Sequence, residues 1–185
     1  MAHDVCPWWL GYLLASPLRK LINNPLPVIT PFLRDGMTVL EPGPGMGFFT
    51  LEMARRVGPG GRIVAVDIQA RMLESLRRRA GRRGVLGRLD LRLAGEKEMG
   101  IGDLAGKVDF VLAFAVVHEM PDNKAFFRQA FAALRPGGKL LFAEPSNHIE
   151  ESEFARSIEN AKSAGLEVER MLDIPSSQAA LLMKR

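Results

Sequence analysis

Three glycines alternate at Gly43, Gly45 and Gly47, and a carboxylate, Glu41, stands two residues before the first of them. Glycine adopts backbone conformations closed to other residues and lets a ligand approach the main chain. TVLE (Thr38–Glu41) before the turn reads as an apolar strand, and Phe48–Val57 after it reads as a helix. Such a turn presents the free N–H groups of a helix start to a polar ligand. The dinucleotide-binding pattern Gly-x-Gly-x-x-Gly would need glycine at position 48, where the chain has Phe48. Asp67 closes a second apolar run, RIVAVD (Arg62–Asp67). A carboxylate there suits the two hydroxyls of a ribose, and it equally suits capping of a helix that begins near Gln69. Paired with the glycine turn, Asp67 reads as a nucleoside ligand.

Candidates for proton transfer gather where later apolar runs end: His118, Glu119, Glu144 and His148. Imidazole titrates near neutral pH, so His118, just after VDFVLAFA (Val108–Ala115), is the first choice for a general base. A histidine that only caps or packs beside that loop is the competing reading. His3 and Cys6 have His-x-x-Cys spacing and would meet His118 and His148 only if the N-terminal segment folded over them. Such a set could hold a soft metal or metalloid. Scattered ligands of this kind seldom converge, so no metal is assigned.

These residues need strands and helices to position them. Short apolar runs alternate with amphipathic ones: strands at Thr38–Glu41, Arg62–Asp67, Leu89–Ala94, Val108–Ala115 and Lys139–Glu144, helices at Phe48–Val57, Ala70–Arg83, Lys124–Leu134 and Glu150–Ala164. Strand–helix alternation, with strands rich in Val, Ile, Leu and Phe on both faces, predicts a parallel sheet covered by helices on both sides. Leu166–Ile174 and Ala179–Arg185 are further strands with only PSSQ between them, too little for a crossover, so they pair antiparallel. Residues 1–36 read as helices at Trp8–Ile22 and Val28–Leu33, a cap on a domain spanning 37–185, the whole forming one structural domain.

With those elements in place, the chain resembles the class I S-adenosylmethionine-dependent methyltransferases. VLEPGPGMGFFT (Val39–Thr50), AVDIQARML (Ala65–Leu73), KVDFVLAFAVVHEMPD (Lys107–Asp122) and LRPGGKLLFAEP (Leu134–Pro145) carry the resemblance, which runs from Leu33 to Arg185. It implies an α/β, Rossmann-like, seven-stranded and mostly parallel sheet with one antiparallel C-terminal strand. It also implies S-adenosyl-L-methionine as cofactor and S-adenosyl-L-homocysteine as product. By the resemblance, Glu41, Gly43, Gly45 and Gly47 hold the methionine part, Asp67 binds the ribose and Ile68 packs on the adenine. Glu96 takes the place of an acid that contacts the adenine amino group, with a solvated helix-start carboxylate as the other reading. Ala113 and Phe114 line the reactive end. Pro44 replaces a residue that is usually small.

The substrate class is read from what surrounds these motifs. AVVHEMPD looks like the small-molecule branch, since nucleic-acid base methyltransferases often carry Asn/Asp-Pro-Pro-aromatic there. Arsenic-methylating members use several cysteines, and this chain has one. Arg71–Arg92 holds eight arginines against Glu74 and Asp90, and the rest of the chain is slightly acidic. That run reads as a solvated helix face, with an RNA or DNA substrate as the alternative. A non-catalytic cofactor-binding module is a further alternative. Charged residues at 25% and apolar residues at 47% exclude a disordered or fibrous chain. One cysteine fits a cytoplasmic location, and the apolar run Cys6–Ala15 has Asp4 before it rather than the basic residues of a signal peptide. That run is too short to span a bilayer, and its aromatics read as packing, with a substrate lid as one alternative and a membrane-surface helix, short of basic residues, as another.

Overall fold

The computed structural model describes residues 26–95 and 98–185. The segment Trp8–Ile22, His3 and Cys6 therefore lie outside the described residues, as does Glu96. Among the described residues a short helix, α1 (Leu26–Ile29), and a 3₁₀ turn at Thr30–Phe32 precede β1 (Thr38–Pro42). The order continues with α2 (Thr50–Arg56), β2 (Arg62–Asp67), α3 (Ala70–Arg82), β3 (Leu89–Leu93), β4 (Val108–Phe114) and α4 (Asn123–Ala133). It ends with β5 (Leu134–Pro145), α5 (Glu151–Ser163), β6 (Glu167–Ile174) and β7 (Ser177–Met183).

The strands form one seven-stranded sheet in the order β3-β2-β1-β4-β5-β7-β6. β1 to β5 run parallel, and β7 is antiparallel to both β5 and β6. One strand is thus reversed, as the sequence predicts, and it slots between β5 and β6. The β6–β7 turn is tighter than expected, because Ser177 and Gln178 already pair with Ile174 and Asp173. Ser176 takes φ 58°, the left-handed conformation that closes so short a turn. β5 begins before the predicted Lys139, at Leu134, with a register shift opposite Val108–Phe110. Gly137 at φ 75° lies in that irregular stretch.

Successive side chains of a strand alternate between faces, and the core divides accordingly. Leu40, Val111, Ala113, Leu140 and Phe142 pack under α4 and α5, against Phe127, Phe154 and Ile158. Val39, Ala65, Phe110, Leu112 and Leu141 pack under α2 and α3, against Leu51, Leu76 and Ala80. Ile29 and Leu33 join this second layer, and Phe32 stacks on Phe110 with ring centroids 5.6 Å apart. The described part of the segment before β1 is therefore part of the sheet's own core.

Phe142 stacks on Phe154 at 5.0 Å and meets Phe127 edge-on at 5.5 Å. Phe142→Ala is expected to cost about 3–5 kcal/mol of unfolding free energy. Denaturant titration measures the loss.

Candidate active site

The strand order reverses direction between β1 and β4, which both leave their carboxyl ends at the same edge of the sheet. Connections diverge at such a point and leave a crevice. A cleft of about 1160 Å³ opens there, walled by Glu41, the glycine turn, Asp67, Ile68, Phe114 and Glu119 among others. The turn is built by steric necessity. Gly43, Gly45 and Gly47 have φ of 63°, 52° and 88°, which other residues rarely adopt. A Cβ on Gly43 would overlap Val116, and one on Gly47 would overlap Leu76. Gly45 differs, since nothing stands within 4 Å of where its Cβ would be. Its bare backbone faces free space beside the cleft.

Glu41 is 3% exposed, and its Oε2 has no hydrogen-bond partner among the described residues. Burial pushes its pKa up to about 8, against a smaller lowering by the nearby Thr50 hydroxyl. Thr50 Oγ1 is likewise without a partner of hydrogen-bonding geometry among the described residues. Asp67 is also buried, and desolvation pushes it up to about 6, against the N–H groups of Gln69, Gly45 and Ile68. Gln69 N–H donates to its Oδ1 at 2.8 Å. The helix cap is Gln69 itself, so Asp67 braces the turn into α3 and still lines the cleft. Ile68 stands 52% exposed on the wall, an apolar surface suited to a flat ring. Ala94, Gly95, Glu98 and Met99 also line the cleft, the last held by Gln129, whose Oε1 accepts the Met99 N–H at 2.9 Å.

Several expected site residues sit elsewhere. Ala113 is fully buried under α4 and α5 and does not line the cleft. Strand alternation turns it away, while Leu112 and Phe114 on either side face the cleft. Gly47 supports the turn without lining the cleft. His118 lies in a 3₁₀ turn at Val117–Glu119, and its ring faces a smaller neighbouring cleft of about 250 Å³ with Asn123, Glu153 and Ser157. Its Nδ1 is 2.6 Å from Oε2 of the buried Glu144, whose Oε1 accepts the His118 backbone N–H at 3.1 Å. The Glu144 bond is the main cause that raises the His118 pKa, which favours the imidazolium over a free base. Glu119, one residue on, lines the large cleft, and His118 Nε2 is 4.0 Å from its Oε1. His148 is exposed in the turn after β5 and lines neither cleft. Among the described residues, no group of three His, Cys, Asp or Glu side chains is placed to hold a metal ion.

Of the other lining residues, the sequence predicts Phe114 but not Ala115, Phe48 or Phe49. Ala115 has φ 54°, a strained conformation for alanine, and its N–H donates to Ala143 O at 2.8 Å. Phe48, Phe49 and Phe114 form an aromatic wall, with Phe49 4.8 Å from Phe114 and 5.0 Å from Phe48. No described helix is long and apolar enough to cross a membrane.

A model of the methyltransferase-domain family matches residues 33–177. A ubiquinone/menaquinone biosynthesis C-methyltransferase, UbiE, of Pasteurella multocida is 32% identical over 63% of this chain and 43% of its own length. An arsenite methyltransferase of Aquipseudomonas alcaligenes is 30% identical over 75% of this chain and 42% of its own length. The chain thus matches less than half the length of these curated relatives. A crystal structure of an S-adenosylmethionine-dependent methyltransferase from Aquifex aeolicus superposes with a TM-score of 0.83 at 20% identity, covering 97% of this chain and 98% of that one.

The raised carboxylates give a stability signature. Native Glu41 keeps a proton that the unfolded chain releases between its ordinary value of 4.5 and about 8. Ligand-free stability is therefore full below that window and falls as pH rises through it. Glu41→Gln is expected to flatten this slope and to stabilise the ligand-free protein at pH 7 by up to about 3 kcal/mol. Denaturant melts at stepped pH measure both effects.

Proposed function

The chain belongs to the class I S-adenosylmethionine-dependent methyltransferase family, and from that premise we propose that it transfers a methyl group from S-adenosyl-L-methionine to a small molecule. The observation that carries this reading is the Glu41 oxygen that has no partner among the described residues, in a cleft also lined by the open backbone of Gly45. A buried polar oxygen without a partner is costly. An ammonium group in the cleft would supply the donor, so the residues fit the amino-acid end of this cofactor. Asp67 would accept from the ribose hydroxyls, and Ile68 would cover the adenine. Glu96, outside the described residues, remains the family-based candidate for the adenine amino group. When bound, the cofactor supplies an activated methyl group on a sulfonium sulfur.

The chain's own part is then to bind, orient and exclude water. The aromatic wall of Phe48, Phe49 and Phe114 would seat the acceptor beside the glycine turn. Of the ionisable groups that line the cleft, we assign Glu119 the acceptor's proton where one must be lost. His118 would act through Glu119 as a positioning residue, fixed by Glu144. His148 has no place in this scheme.

A small acceptor is favoured over nucleic acid because much of the arginine run is committed within the chain. Arg79, Arg88 and Arg92 donate to backbone carbonyls, and Arg83 and Arg92 pair with carboxylates. The C-methyltransferase and arsenite methyltransferase names of its relatives are in keeping with small acceptors. The lone cysteine weighs against arsenite. A cytoplasmic location remains the composition-based part of the proposal.

Calorimetry with S-adenosyl-L-homocysteine tests the reading. Wild type is expected to bind at micromolar concentration, and Asp67→Ala to bind at least about tenfold more weakly. Affinity should rise with pH from about 6 to 8 as Asp67 and Glu41 ionise. Absence of binding by wild type would remove the cofactor assignment.

A further inference from the structure

We propose that helix α3 is a clamp that holds the glycine turn in its ligand-binding conformation, with Arg79 as the positioning residue. The inference rests on the cofactor assignment above. It gives the arginine run a role that is neither a solvated face nor a nucleic-acid patch.

The contacts lie along one stripe of the helix. Leu76 and Arg79 are spaced i, i+3 on α3 and so share a face, and Arg83 follows just past its last residue. Leu76 packs beneath Gly47, leaving no room for a Cβ there. One turn on, Arg79 Nη1 donates to the Met46 carbonyl at 2.8 Å. Beyond it, Arg83 Nη1 reaches Glu52 Oε1 at 3.4 Å, on the helix that follows the turn. Arg88, after the end of α3, donates to Ala54 O at 2.9 Å. Three arginines of the run therefore act on residues 46–54.

Met46 is the informative point. It lies between two left-handed glycines, is buried, and lines the cleft. Left-handed turns of this kind gather backbone N–H groups toward an anionic or polar ligand. The Met46 carbonyl accepts a charge-assisted bond from α3, the stronger kind. Arg79 is partly withdrawn from water and lies near the like charge of Arg83, and both lower its pKa. A solvated helix face would carry neither penalty. The arrangement is explained if the guanidinium secures a loop that would otherwise sample other conformations. Ordering the loop before binding removes that cost from the binding step.

The test compares S-adenosyl-L-homocysteine affinity by calorimetry in the full chain, with thermal melts and amide hydrogen exchange. Wild type, Arg79→Met, Arg79→Lys and Arg78→Met are used. Arg78 bonds Glu74 and Ser75 on its own helix and serves as the control. Arg79→Met is expected to bind at least about tenfold more weakly while melting within a few degrees of wild type. Arg79→Lys should recover part of the loss, and Arg78→Met should stay within about twofold of wild type. Arg79→Met binding like wild type, or Arg78→Met losing as much, overturns the clamp. If Arg79→Met does not fold, Arg79→Lys carries the comparison, and wild-type affinity in it overturns the proposal. If wild type itself does not bind, the cofactor assignment fails separately. Exchange at residues 43–49 then decides: faster in the Arg79 variant supports the clamp, and unchanged exchange overturns it.

Discussion

The direct pairing of β1 with β4, through Val39–Leu40 and Phe110–Val111, is the constraint on which the cleft depends. The two strands pair directly, so the loops that leave them meet. Gly43 stands where any side chain would run into Val116. That contact favours a residue without a Cβ, and the left-handed φ of 63° there is one that glycine adopts freely. Gly47 meets the same demand against Leu76 on the other side. Between them Gly45 is left bare beside the cavity. The glycine turn is thus shaped from both flanks by the packing of β4 and α3.

A second consequence is the concentration of raised carboxylates. Val39 and Ala65 face the α2/α3 layer, and strand alternation puts Glu41 and Asp67 on that same face two residues later. There the apolar layer ends and the cleft begins. Burial raises both, Glu41 to about 8 and Asp67 to about 6, yet they border the cavity. The ligand-free protein is less stable for it, and the cleft gains acceptors ready for a cationic or hydroxyl-bearing ligand. Strain at Ala115, in the same ring of residues, fits this pattern.

The segment Val116–Asp122 divides two clefts. Met120, Pro121 and Asp122 line both. Glu119 faces the larger cleft and His118 the smaller, although they are neighbours in sequence. Glu144 fixes the split by holding both the ring and the backbone N–H of His118. The histidine's chemistry is therefore set by a carboxylate on the adjacent strand, while its neighbour keeps contact with the cleft.

The sequence by itself determined the order of strands and helices, the one reversed strand, the glycine turn and the two carboxylates at strand ends. These are local signals: apolar runs, glycines at short spacing, and a linker too short for a crossover. It did not determine which way each side chain faces. VDFVLAFA has no polar alternation, so nothing in it says that Ala113 turns into the core while Phe114 faces the cleft. Nor could it tell that His118 binds Glu144, 26 residues away, or that Arg79 reaches Met46, 33 residues back. Such pairings exist only once the sheet has brought distant strand ends and α3 together. Tertiary packing decided them, because orientation and long-range hydrogen bonding depend on neighbours that local sequence does not contain.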